Sequence, residues 1–423
     1  MKKYNAYKDS GVKWIGEIPS HWGLRRAKYM FNKEKREVRD IDDVVTCFRD
    51  GEVTLRKNRR TTGFTESFTE IGYQGVRKGD LVIHQMDAFA GSIGVSDSDG
   101  KCTSVYHCCT PKGSYDAHYY AHLVRLMAKR GYIQSLYRGI RERSSDFKFP
   151  VFGNQFLAIP PLHEQQAIVD YLKDKTLKIE QYVSARERER ELLDSLKQSG
   201  IANVVTKGLN PNVKMKDSGI PWIGEIPEHW EVRTLSQMSR DHFISNKNVH
   251  HQNLLSLSYG KIVNKDINTT EGLLPASFDS YQIVEDGNIV LRLTDLQNDH
   301  KSLRVGLSTQ EGIITSAYLA LETFNDIIPL YLYYLLHTID VKKVFYSMGN
   351  GLRQSLNWTE LRKLKCVVPP LSEQQAIVAY IDEKLQKIDQ YMTDLQREID
   401  YLKEFKQRLI SDAVTGQLCV TKQ

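Results

Sequence analysis

Short apolar runs bounded by glycine and an aspartate or asparagine set the pattern over most of the chain. Leu81-Val82-Ile83 and Ile289-Val290-Leu291 read as strands, with Asp97-Ser98-Asp99-Gly100 and Gln310-Glu311-Gly312 as turns between strands. Helical stretches are predicted near 117–130 and 329–346. A last strand in each half, Phe156-Leu157-Ala158-Ile159 and Leu364-Lys365-Cys366-Val367-Val368, stops at a proline pair. Two long segments follow a different period. Ser372 with Gln375 fits a capping box that Leu371 staples. Ile381, Leu385, Ile388, Met392, Leu395, Ile399 and Leu402 then recur at alternating spacings of four and three, and Leu409 resumes the seam after Lys406. This is a coiled-coil repeat, and a helix from Glu373 to Leu409 would run roughly 55 Å. Ile168, Leu172, Ile179, Val183 and Leu193 keep the same pattern in the first half. There Arg186 and Arg190 fall on the seam, and His163 stands in place of the capping serine. Packing the two stripes against each other covers them; the seam arginines either pair with acids on the opposite helix or face a partner chain.

These elements occur twice. Lys8 to Arg25 reads KDSGVKWIGEIPSHWGLR, and Lys216 to Arg233 reads KDSGIPWIGEIPEHWEVR. PPLHEQQAIVDY at 160–171 returns as PPLSEQQAIVAY at 369–380. A period near half the chain is a tandem duplication, not a solenoid. Between the motifs, residues 27–159 and 235–368 share little identical sequence but keep a skeleton. Gly79-Asp80-Leu81-Val82 matches Gly287-Asn288-Ile289-Val290, and Gly94-Val95-Ser96 matches Gly306-Leu307-Ser308, with four extra residues between these landmarks in the second half. The expected fold is therefore mixed α/β: two pseudo-repeated domains separated by two long helices that form an antiparallel coiled coil. The predicted boundaries are a first domain at 1–159 (frame motif 8–26), a helix at 160–200 and a linker at 201–215. A second domain at 216–368 (frame motif 216–234) and a helix at 369–415 complete the chain.

Composition narrows the classes of function. A chain of 423 residues, 41% hydrophobic and 26% charged, supports two or three folded domains and argues against disorder. No apolar run is long enough to span a membrane and no signal segment precedes the polar start, so a cytoplasmic protein is expected. A net charge of +6 permits a nucleic-acid partner without demanding one. Cys47, Cys102, Cys108, Cys109, Cys366 and Cys419 form no Cys-x-x-Cys pair. Reduced thiols packed in a core explain them better than zinc bound beside His107. No metal site and no bound cofactor is expected.

A near-identical frame holding two divergent domains suggests two equivalent docking surfaces and two different targets read in parallel. The Trp-Ile-Gly-Glu-Ile-Pro-x-His-Trp motif at 14–22 and 222–230 carries a resemblance together with Pro-Pro-Leu-x-Glu-Gln-Gln-Ala-Ile-Val at 160–169 and 369–378. The chain resembles, over essentially its whole length, the specificity subunit of type I restriction-modification enzymes. The resemblance implies two target-recognition domains, each reading half of an asymmetric bipartite site in double-stranded DNA. It also implies a helical spacer that fixes the unread gap. Two modification subunits would dock on the helices and restriction subunits would join them, with S-adenosylmethionine, ATP and magnesium bound by those partners.

DNA affinity comes from Lys and Arg near phosphates, and specificity from side chains that reach base edges. The basic loop Arg56, Lys57, Arg59 and Arg60 is the densest candidate in the first domain, with Arg141, Arg143 and Ser144 in a second loop. His84, Gln85 and Asp87 follow a strand. In the second domain Arg292 and the inserted Gln297, Asn298, Asp299, His300 and Lys301 carry base-reading chemistry, and Arg353 and Gln354 occupy the place of the first domain's arginine-rich loop. Trp14, Trp22, Trp222 and Trp230 lie in the repeated frame and are expected to clamp it rather than stack on bases. Independent catalysis lacks its motifs. There is no Asn-Pro-Pro-Tyr or Asp-Pro-Pro-Tyr methyltransferase signature and no phosphate-binding Gly-rich loop, and Asp146-Phe147-Lys148 and Asp382-Glu383-Lys384 are triplets common by chance. The rival reading is a coiled-coil adaptor without a DNA role.

Overall fold

In the computed structural model, which describes residues 2–59, 62, 72–136, 146–249, 251–267, 277–297, 299, 302–348 and 355–421, the apolar runs form the inner strands of two similar sheets. The chain divides into two units, Met1–Arg186 with Arg397–Gln423, and Glu187–Gln396. The first unit's sheet orders Phe31–Glu34, Tyr106–Pro111, Leu81–His84 and Ile93–Val95, all antiparallel. Alternation along the strands sorts the side chains between two cores. Leu81, Ile83 and Cys109 face the helix Ala117–Lys129 with its buried Tyr119, Tyr120, Leu123 and Val124. Val82 and Cys108 face a smaller cluster of Val45, Cys47, Val53, Val76 and Cys102. That helix starts where Asp116 accepts the backbone N–H groups of His118 (2.8 Å) and Tyr119 (3.1 Å).

The second unit repeats the order with Ser239–His242, Leu319–Thr323, Ile289–Leu291 and Val305–Leu307. Ile289 and Leu291 pack on the helix Pro329–Val341, while Val290 joins the opposite cluster. In each unit the strand after the frame motif pairs with the strand before the proline pair: Gly23–Arg26 with Phe156–Ile159, and Glu231–Thr234 with Lys365–Val368. The mixed α/β duplication read from the sequence is the observed architecture.

The long helices span Leu162–Lys207 and Leu371–Val414. Two expectations about them need correction. The linker expected at 201–215 is helical through Lys207, because Ile201, Val204 and Val205 are buried with Trp230 and Tyr331. The capping box at Ser372 does not form: the helix begins at Leu371, and Pro370 already offers its carbonyl to Glu373 (2.9 Å) and Gln374 (3.0 Å). Pro370, with its fixed φ and accepting carbonyl, sits just before the first helical residue, so the helix starts two residues earlier than expected. Pro161 serves Glu164 and Gln165 in the same way.

Antiparallel pairing of the helices is visible in each unit. In the first, Lys406 bonds Glu180, and Arg186 Nε lies 3.3 Å from Glu398 Oε2. In the second, Arg190 donates to Gln396, and Lys197 lies 2.6 Å from Asp389. One seam arginine thus meets an acid and the other an amide. Ile381, Leu395, Ile399 and Leu409 are buried along the seam, with Leu385, Ile388, Met392 and Leu402 half-buried. No helix among the described residues is long and apolar enough to cross a membrane.

Candidate nucleic-acid interface

The repeated motifs meet each other within each unit. Trp22 is fully buried and donates its indole N–H to Glu164 Oε2 at 2.9 Å, while His21 lies 2.7 Å from Oε1 and Tyr4 donates to Oε2 at 2.8 Å. Burial pushes the Glu164 carboxyl up, but the hydrogen bonds from Trp22, Tyr4 and His21 together outweigh it and hold the group below the usual carboxylate range. In the second unit Trp230 donates to Glu373 at 3.0 Å, beside His229 at 2.6 Å. The next residue is paired too. Gln165 accepts the N–H of Asp116 and donates to Pro160; Gln374 accepts that of Ile328 and donates to Pro369 and Asp326. The His-Trp and Glu-Gln pairs are therefore two sides of one latch. Trp22 and Trp230 clamp as expected, Trp14 is buried and Trp222 half-buried.

A third repeat escaped the sequence reading. Ile201-Ala202-Asn203-Val204-Val205-Thr206-Lys207-Gly208 and Ile410-Ser411-Asp412-Ala413-Val414-Thr415-Gly416 end the two long helices. Tyr331 donates to the Val205 carbonyl (3.1 Å) and Tyr119 to that of Val414 (2.8 Å). Gly208 and Gly416 have φ of +77° and +76° and lie against Trp230 and Trp22. The available signal was Val-Thr shortly before glycine, blurred by the extra Lys207.

Four of the residues singled out in the sequence, Asp87 among them, converge in the first unit. Arg56, Arg59 and His84 line one cleft of about 550 Å³, together with Arg49, Asp87 and Tyr106 among others. Strand Val53–Leu55 delivers the short helix Arg56–Asn58, and His84 ends its own strand. Arg59 pairs with Asp50 (2.6 Å) and Glu52 (2.8 Å), its guanidinium 4.3 Å from the Phe48 ring centre. Arg49 reaches Asp87 at 3.0 Å. The Asp87 N–H donates to His84 Nδ1 at 2.9 Å, and Tyr106 packs edge-on against the imidazole. Burial lowers the His84 pKa, and because Nδ1 accepts the Asp87 N–H, Nε2 is left as the ring's donor. A cleft with guanidinium forks, an imidazole donor and carboxylates offers both kinds of partner that base edges need.

The remaining candidates disperse. Lys57 pairs with Asp43 at 2.9 Å and does not line the cleft. The Gln85 backbone donates to Val105 and accepts from Phe147, tying down residue 147 after the 137–145 segment. Arg292 is half-buried with Nη2 3.8 Å from Asp299, and Gln297 is exposed. Arg60, Arg141, Arg143, Ser144, Asn298, His300, Lys301, Arg353 and Gln354 lie outside the described residues. All six cysteines are buried free thiols. His107 and Cys109 flank Cys108 on one strand and point to the face opposite its own.

Both units thus hold a polar, divergent strand connection in a common frame, which is the design of a recognition scaffold. Residues 227–400 match the family model described as type I restriction modification DNA specificity domain. Over 98% of both chains, the protein is 22% identical to the putative MjaX type I restriction enzyme specificity subunit of Methanocaldococcus jannaschii. It is 25% identical to the MjaVIII specificity subunit of the same organism, across 70% of this chain and 69% of that one. Its fold is that of a chain from a solved type I R-M system (TM-score 0.70, 16% identity, 95% and 99% covered). The HsdS subunit of Thermoanaerobacter tengcongensis is also similar (TM-score 0.52, 15% identity, 95% and 98% covered). The class these likenesses define is that of DNA-specificity proteins, here with a duplicated frame. Residues 227–400 thus carry a type I restriction modification DNA specificity domain, and over nearly its whole length the chain is similar to specificity subunits of type I restriction enzymes.

Proposed function

We propose that each unit reads one half of an asymmetric, bipartite site on double-stranded DNA through its divergent strand connections. Two modification subunits dock on the repeated helical frame, and restriction subunits join them. S-adenosylmethionine, ATP and magnesium are held by those partners, and the complex works in the cytoplasm. The observation that carries this reading is one latch, Trp22–Glu164 and Trp230–Glu373, holding two domains whose exposed chemistry differs. Selection for a common partner accounts for the latch, and selection for two different half-sites accounts for the contents.

The test is genome-wide adenine methylation in cells with this chain and its neighbouring modification subunit, against cells lacking this chain. A split motif, two short defined halves around a fixed gap, is expected only in the first. An active modification subunit whose pattern is indifferent to this chain would leave the adaptor reading in its place. Binding that weakens steeply with salt separates DNA recognition from an apolar helical interface.

A further inference from the structure

The strand connection at 85–92 in the first unit corresponds to 292–304 in the second, which is longer by an insertion. A longer irregular loop has more conformational freedom to lose, and a side chain that reads bases must be held in place before DNA arrives. In the second unit that freedom is removed by one residue that the sequence pattern did not single out.

Arg304 is fully buried. Its Nη1 donates to the carbonyls of Arg292 (3.1 Å) and Thr294 (2.8 Å), and its Nη2 to those of Asp295 (3.2 Å) and Asp299 (2.6 Å). Its Nε donates to the Tyr346 hydroxyl at 3.1 Å, and that hydroxyl donates to the Asp299 carbonyl at 3.0 Å. Every N–H of the guanidinium is used. The nearby acid, Asp340, is spent on the Arg304 backbone N–H at 2.6 Å. Backbone carbonyls therefore solvate the buried charge, and the loop cannot open without exposing those carbonyls and leaving the cation unsolvated. Asp295 sits at φ +57°, a conformation a non-glycine residue keeps only when its surroundings enforce it. The loop wrapped around this cation carries half-buried Arg292 and exposed Gln297 at its rim.

We propose that Arg304, supported by Tyr346, is the positioning residue of the second unit's DNA-reading loop, holding Arg292 and Gln297 in register for one half-site. In the first unit Ser92 precedes the matching strand and leaves that connection beside an open cleft. The proposal rests on the DNA-reading function above and adds the element that makes one half of the site specific.

The experiment uses the full chain in complex with its modification subunit, comparing wild type, Arg304→Lys, Arg304→Met and Tyr346→Phe. Two readouts are taken: methylated motifs in cells, and amide hydrogen exchange of the complex. Both Arg304 variants are expected to keep one half of the motif intact and lose at least tenfold discrimination at the other. Exchange should accelerate across 292–303 while 85–92 stays unchanged. Tyr346→Phe keeps the cation and removes the hydroxyl that accepts from Nε and donates to Asp299, so a loss of about threefold at the same half is expected. Unchanged discrimination in a folded Arg304 variant overturns the proposal. Should both Arg304 variants fail to assemble, unchanged discrimination in Tyr346→Phe overturns it equally. A wild-type pattern without a split motif instead defeats the DNA-reading function itself, so the two failures are distinguishable.

Discussion

At residues 85–92 the first unit borders a cleft walled by Arg56, Arg59 and His84, whereas in the second unit the carbonyls of Arg292, Thr294, Asp295 and Asp299 gather around a buried arginine. The surrounding strands keep the same order and register in both, and the latches use the same atoms. Divergence is thus concentrated where the frame makes no demand on the side chains. Two solutions to presenting polar groups follow: ion pairs lining an open surface, and backbone organised from beneath.

Equivalent substitutions in the two units should break this comparison to different degrees. The largest difference is expected at Gly94 and Gly306, which occupy matching strand positions. A methyl group at Gly94 would lie 1.9 Å from the Gly51 carbonyl oxygen, which belongs to backbone, while at Gly306 it would meet the side-chain end of Leu257 at 2.6 Å. Gly94→Ala should destabilise the first unit by about 3 kcal/mol or more, and Gly306→Ala the second by about 1 kcal/mol, read from unit-resolved hydrogen exchange. Equal effects would mean that the backbone beside Gly94 yields as readily as the side chain beside Gly306. Next come the latches. The Glu164 side chain is 7% exposed with three donors, and that of Glu373 is 39% exposed with two. Glu164→Ala should cost about 3 kcal/mol and Glu373→Ala about 1 kcal/mol in denaturant titrations, because water reaches the second site.

Arg56→Ala with Arg59→Ala should weaken duplex binding about tenfold and lower the salt slope by about one for each phosphate no longer neutralised. An unchanged slope would assign the cleft to base reading or to no DNA role. The smallest effect is on pH dependence. His107 is buried, with neither ring nitrogen hydrogen-bonded, and burial, followed by Lys33, lowers its pKa to about 4. The register places Leu319 at the matching position of the second unit. An unfolded histidine gains its proton near pH 6.5 and the folded one only near 4. The stability of the first unit should therefore fall as pH drops through that window and be untouched above it. His107→Leu should flatten that part of the melting profile; an unaltered profile would show that other groups govern it.

Much of this organisation was legible in the chain. The Gly-Asp and Gly-Asn boundaries located the central strands, and the heptads located the helices, because both are local consequences of period. Tertiary events were not legible. The proline pairs start the helices before Ser372, and packing against Trp230 and Tyr331 extends the first one past its expected end. The basic loop around Arg56 was visible as composition, but its convergence with His84 depends on strand pairing distant in sequence. Arg304 was invisible for the opposite reason: a charged residue between Leu303 and Val305 reads as surface, and only the carbonyls around it account for its burial.

The exchange of helix ends has a consequence for the order in which the chain can fold during synthesis. The second unit is one continuous stretch, Glu187–Gln396, and all of it exists before residue 397 is made. The first unit draws Leu409, Ala413, Val414 and Leu418 into its core around Trp22, and these follow some two hundred residues later. The amino-terminal unit therefore emerges first and closes last, with its tryptophan waiting for a helix end that the ribosome has yet to deliver.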